Sequence, residues 1–130
     1  MSANKHEETV RAFCSAWDNL DVAGILGLMS QDAAYHNMPL EPLIGQQQIK
    51  AFIEGFFKMS NACQFDILKL VANDQCVVTE RVDTFGLLNG SSIDKLPVLG
   101  IFEFDDEGKI SQWREYWDLK AWADRGGPPL

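Results

Sequence analysis

"CQFDILKLVANDQCVVTERVDTF", residues 63–85, marks the point where the chain changes its hydrophobic period. Its apolar residues alternate or run together in two β-like segments, and "AND" (72–74) between them supplies a tight turn. The same grammar continues downstream. "LNGSS" (88–92) and "DDEG" (105–108) are turn signals that set off "PVLGIFEFD" (97–105) and "KISQWREYWD" (109–118). Four strands joined by short turns predict an antiparallel meander.

Upstream of Ser60 the period is helical. Val10, Phe13, Cys14, Trp17 and Leu20 recur on one stripe, and Asn4 with Glu7 three residues on resembles a capping box. Asp21 predicts the cap of a second, short helix whose buried side holds Ile25, Leu28 and Met29. "AAYHNMPL" (33–40) reads as an extended piece stopped by Pro39 and Pro42. A third helix follows Gly45, with Ile49, Phe52, Ile53 and Phe56 on its stripe. "LKAWADRGGPPL" (119–130) reads as a helical turn ended by paired Gly and Pro. Helices followed by a long meander define an α+β fold. The expected architecture is a cone: a curved antiparallel (mixed) sheet packed on three to four helices, with a cavity between the layers. Residues 1–130 form one domain in this reading.

Composition narrows the function. The chain is 46% hydrophobic and 11% aromatic, which suits a packed core. A net charge of −8 argues against nucleic acid, whose phosphates need clustered Lys and Arg, and favours a neutral small molecule as partner. Cys14, Cys63 and Cys76 are scattered and odd in number, so no disulfide framework is expected. Cys14 and Cys63, among apolar neighbours, read as small core residues. "MSANKHEETV" lacks an apolar leader and no run approaches a membrane span, so the expected setting is soluble and cytoplasmic, without a membrane partner.

Arg81 and Asp83 stand two positions apart in the second strand, on one face with Val77, Thr79 and Phe85. Both faces of that strand are mixed, so alternation does not say which looks inward. A solvated ion pair would contribute little; a buried one would be a device for chemistry. Tyr35 and Asn37 have the same spacing in "YHNMP", and a phenol beside a carboxamide can grip one water molecule. Asp118 closes "WREYWD", with capping of the last helix as its competing role.

Together, the Tyr-x-Asn, the Arg-x-Asp and the Asp ending "WREYWD" resemble the limonene-1,2-epoxide hydrolase family of the nuclear-transport-factor-2-like (SnoaL-like) superfamily. The resemblance runs from the first helix to Trp122. Two differences fall where substrate shape would be read: the chain begins close to the first helix, and the hairpin "GLLNGSSIDKLP" (86–97) reads as long for the family.

The resemblance implies an enzyme that adds water to a small apolar epoxide in one step, giving a vicinal diol. In it Asp118 is the general base on a water held by Tyr35 and Asn37. Asp83 is the acid that protonates the epoxide oxygen, and Arg81 bridges the two carboxyl groups. Two close carboxyl groups in a dry site tend to share one proton, which supplies acid and base together. No cofactor and no metal are expected. The sequence has no Gly-x-Ser-x-Gly elbow, no metal-ligand spacing and no dinucleotide fingerprint. Leu28, Met29, Ile53, Phe56, Val77, Phe85, Leu99, Ile101 and Tyr116 are the candidate pocket walls. Strict alternation puts Tyr116 on the side of Asp118 and Trp117 behind it; a bulge would exchange them. The family also implies a homodimer through the outer sheet face, with which outward-facing Trp113 and Trp117 would be compatible. The alternatives are an epoxide-opening cyclase, a ketosteroid-isomerase-like isomerase, or a module that binds a small ligand without turnover.

Overall fold

A computed structural model describes residues 2–130. Three helices and a short two-strand excursion precede the meander: α1 (Ala3–Asp18), α2 (Val22–Gly27), β1 (Met29–Asn37), β2 (Leu43–Ile44) and α3 (Gln46–Met59). Then come β3 (Ser60–Ala72), β4 (Cys76–Leu87), β5 (Ser92–Phe104), β6 (Ile110–Tyr116) and α4 (Leu119–Asp124). The first cap differs from expectation. Ser2, not Asn4, is the N-cap of α1, its hydroxyl accepting from the Lys5 N–H at 3.3 Å. Asp21 caps α2 as its sequence position predicts, accepting from the Gly24 N–H.

All six strands form one sheet in the order β2-β1-β6-β5-β4-β3. The meander β3–β6 is antiparallel throughout, while β1 enters beside β6 in parallel, so the sheet is mixed. Its long strands are bent by bulges. Between Asp83 and Phe85 the partner strand advances from Leu96 to Ile93, and Lys95 there has a φ of 51°. A second irregularity falls between Ile67 and Lys69. Extra residues of this kind curl a sheet towards one side.

The inner face packs on the helices. Val10, Phe13 and Trp17 of α1 and Ile49 and Ile53 of α3 meet Val77, Phe102, Ile110 and Trp113 from the sheet. Phe13 lies edge-on to Trp113 with centroids 4.7 Å apart, and Tyr35 stacks flat on the same indole at 4.0 Å. Trp113 is therefore core and not an outward aromatic, which corrects its expected place on a dimer face.

The hairpin 86–97 is also shorter than its sequence suggests. β4 runs to Leu87 and β5 begins at Ser92, so only a tight turn around Gly90 lies outside the ladder. Gly, Asn and Ser at the tip obscure strand residues that the pairing then recruits. Among the described residues, no helix is long and apolar enough to cross a membrane.

Candidate active site

Alternation along β4 resolves in favour of burial. Val77, Thr79, Arg81, Asp83, Phe85 and Leu87 all face inward, with Arg81 only 1% exposed. A buried guanidinium must satisfy its donors inside the protein. Arg81 does so completely. Nε and Nη2 donate to the two oxygens of Asp83 at 3.0 and 2.9 Å. Nη1 and Nη2 donate to the two oxygens of Glu115 at 3.1 and 2.5 Å, and the remaining Nη1 hydrogen goes to Thr79 Oγ1 at 3.1 Å. Its Cζ also lies 4.5 Å from the centroid of the Phe65 ring.

The second carboxylate is thus Glu115, not Asp118. Trp113 and Glu115 alternate inward along β6, and Trp117, just past the strand end, continues the same side. Asp118 is exposed and serves as the N-cap of α4, accepting from the Lys120 N–H at 3.1 Å. Its place at the start of a helix overrode its place at the end of the motif. "QWREYW" holds the signal that points to Glu115: a carboxylate between two tryptophans at alternating positions.

A row of residues crosses the sheet at this level. Asn37 on β1 pairs with Glu115 on β6, Glu115 with Gly100 on β5, and Gly100 with Thr79 on β4. Gly100 is the gap through which the charges meet. A Cβ there would lie 2.5 Å from Glu115 Oε2, 2.6 Å from Arg81 Nη1 and 2.9 Å from Thr79 Oγ1. Two residues back along the register, Tyr35 pairs with Trp113, so Tyr35 and Asn37 share the inward face of β1.

Burial dominates the electrostatics. Desolvation raises the pKa of both Asp83 and Glu115 above the ordinary carboxylate value, against the lowering effect of Arg81. Burial also disfavours the Arg81 charge, yet Glu115 and Asp83 outweigh it and push its pKa up. Desolvation, helped by Glu115, holds Tyr35 well above its usual range and therefore neutral. One fixed cation therefore faces two carboxyl groups, each inclined by burial to keep its proton.

A cavity of about 60 Å³ opens onto this cluster. That is room for a few waters, each needing roughly 10–15 Å³. Asp83 and Glu115 line it together with Tyr35, Asn37, Phe52, Phe56, Phe65, Phe85, Leu96, Val98, Trp17, Trp117, Trp122 and Leu130. Of the expected walls, only Phe56 and Phe85 stand there. Ile53 and Val77 are fully buried in the core behind it, and Leu28 packs against the core as the C-cap of α2. Met29 is buried and borders a separate surface cleft with Ser30 and Gln46. Leu99 and Tyr116 are 41% and 42% exposed, and they pair with each other on the outer face. Ile101 shares that face, because Gly100 and Phe102 point inward. No bulge exchanges Tyr116 and Trp117: unbroken alternation from Glu115 turns Trp117 in. Its indole Nε1 donates to Asn37 Oδ1 at 3.1 Å.

A bent mixed sheet over helices, with an apolar pocket at its open end, is a nuclear-transport-factor-2-like fold. The family model described as the limonene-1,2-epoxide hydrolase catalytic domain matches residues 4–124, and the chain belongs to that family. It is 29% identical over 112 residues to epoxide hydrolase EphG of Mycobacterium tuberculosis, covering 85% of this chain and 71% of EphG. Among solved structures, an LEH-like epoxide hydrolase of M. tuberculosis superposes with a TM-score of 0.83 at 24% identity, over 95% of this chain and 90% of that one. A putative polyketide cyclase of Xanthomonas campestris gives 0.86 at 21% identity, over 95% and 97%. The fold is therefore shared with a putative polyketide cyclase, while the family match is to the epoxide hydrolase domain.

Proposed function

We propose that this chain hydrolyses a small apolar epoxide to a vicinal diol in one step, without a metal or other cofactor, with Glu115 in the role first expected of Asp118. The observation that carries this is the use of all five Arg81 N–H groups to hold Asp83, Glu115 and Thr79. Few structural needs call for two acids on one buried cation, since burying such a cluster is costly.

Register supports a division of roles. Glu115 is the carboxyl group adjacent to Asn37, so it is the base for a water held by Asn37 and Tyr35. It takes one proton as the water oxygen bonds to an epoxide carbon. The carbon–oxygen bond of the ring breaks, and protonated Asp83 donates to the departing oxygen. The diol leaves with Glu115 protonated and Asp83 ionised, and exchange with solvent restores the pair. Positioned acid and base groups contribute typically ~10²–10⁴-fold each. The aromatic walls exclude bulk water and suit an uncharged substrate.

Turnover of limonene-1,2-epoxide, styrene oxide and cyclohexene oxide tests the activity, with a single turnover in ¹⁸O-water to trace the oxygen. Label in the diol fits direct attack by water, whereas unlabelled first-turnover diol would indicate an ester on a carboxylate. Binding of all three without diol formation would leave a ligand-binding module. Cyclisation of a hydroxy-epoxide in preference to hydrolysis would favour the cyclase. The assembly we propose is a homodimer through the outer face carrying Leu99 and Tyr116, which sedimentation would reveal.

A further inference from the structure

Trp117 is a pocket aromatic whose indole N–H donates to a proposed water-holding residue, and the hydrolase chemistry above gives it no role. An indole N–H has a proton to give and no lone pair to receive one. The atom of Asn37 that lies 3.1 Å from Trp117 Nε1 must therefore be the amide oxygen, whichever way the amide is drawn. We infer that Trp117 is a positioning residue that locks the Asn37 carboxamide with its oxygen engaged and its NH₂ turned toward Tyr35 and the water.

The chemistry needs that orientation. A water poised to attack must give one proton to Glu115 and aim one lone pair at the epoxide carbon. Its second lone pair then calls for a donor, which the Asn37 NH₂ supplies. Turned over, the amide would offer an acceptor, compete with Glu115 for a proton and let the water rotate. Tyr35 cannot enforce the choice, because a phenol both donates and accepts.

Trp117 is itself held in place. Its ring lies 6.1 Å from that of Trp122, whose own Nε1 donates to Pro128 O at 2.7 Å. Trp122 further accepts the Gly127 N–H on its carbonyl, and a side chain at Gly127 would run into its ring. The terminal segment "GGPP" thus buttresses one tryptophan, which in turn backs the other.

This inference rests on the water-holding role of Asn37, and the test separates the two. Trp117→Phe, Asn37→Ala and the double variant are compared on whichever of the three epoxides is turned over fastest. Trp117→Phe should lower kcat roughly tenfold, the scale of one hydrogen bond, with little change in KM. In the Asn37→Ala background the same change should alter kcat less than about twofold, because the two residues act as a unit. Equal losses in both backgrounds, or no loss in either, would overturn the role of Trp117 alone. An Asn37→Ala variant with undiminished kcat would overturn the water-holding role and this inference with it. Independently of activity, the indole N–H resonance missing from Trp117→Phe should move upfield and exchange faster in Asn37→Ala; an unmoved signal would also reject the lock.

Discussion

Arg81 and Glu115 sit on strands that are not neighbours, and they join through hydrogen bonds of 3.1 and 2.5 Å across β5, which runs between them. The contact exists because the residue of β5 that lies between them is Gly100. Its value here is space, and its backbone needs no special conformation.

Gly100→Ala should therefore act like a change inside the site although it adds one methyl group. Overpacking of a tight core costs typically ~1–3 kcal/mol, and the atoms in the way are charged and already fully engaged. We expect kcat/KM to fall at least about 100-fold with destabilisation in that range. Steady-state kinetics and urea unfolding of the variant would measure both.

Glu115→Gln and Asp118→Asn make a matched pair. The first removes the proposed base and should cost ~10²–10⁴-fold in kcat. The second keeps a good capping side chain on an exposed helix end and should leave kcat within about twofold and stability nearly unchanged. A large kcat loss in Asp118→Asn with wild-type activity in Glu115→Gln would reverse the assignment.

Arg81→Lys preserves the charge and discards the fork. A lysine has three donors where five are in use, so at least two oxygens would be left short in a dry site. Removing one partner of a buried ion cluster costs about 3–5 kcal/mol, and Lys should incur a large part of it. Denaturant midpoints and diol formation should both fall. A variant with wild-type stability would mean that lysine and water replace the fork without cost.

pH should act on stability and rate in opposite ways. Desolvation raises the folded pKa of Asp83 and Glu115, so the folded state holds protons that the unfolded chain gives up near pH ~4. Their contribution is fully present below the unfolded pKa and is lost as pH rises through the folded values. The fall in unfolding free energy above pH ~4 should therefore be shallower in Asp83→Asn than in wild type. The proposed mechanism needs one ionised and one protonated carboxyl, so kcat/KM should trace a bell with its acidic limb above the ordinary carboxylate range. A flat profile across that range would speak against acid–base work by this pair.

The thiols offer a structural check. Burial, with smaller effects from nearby charges, pushes the Cys14 thiol up to about 12, and Cys63 is raised further by the same cause. Cys76 is half-exposed. A disulfide reagent at neutral pH should modify Cys76 alone in the native protein and reach Cys14 and Cys63 on unfolding.

The elements of the fold are legible in the sequence because each carries its own period: the α1 and α3 stripes, the alternation after Ser60, and turn residues at each reversal. Which face of β4 looks inward is not, since Val77 and Phe85 on one side are matched by Val78 and Val82 on the other. Burial of Arg81 is decided by partners on β6 and by a missing side chain on β5, and neither lies near it in the chain. The second carboxyl partner of Arg81 is hidden for a related reason. Asp118 ends the motif in sequence, but the inward phase of β6 is fixed by Trp113, and counting from there selects Glu115. The pocket walls were misplaced where a residue was apolar yet outward, as with Leu99, Ile101 and Tyr116, because hydrophobicity alone does not give phase.

The parallel pairing of β1 with β6 joins segments from opposite halves of the chain: Asn37 and Trp117 are 80 residues apart. The meander β3–β6 assembles by hairpins, each closing a short loop, whereas this seam must wait for a distant strand to arrive. Refolding should therefore recover most β-sheet circular dichroism before any catalytic competence. Regained turnover would time the last zipper to close, making the enzyme a kinetic clock for its own topology.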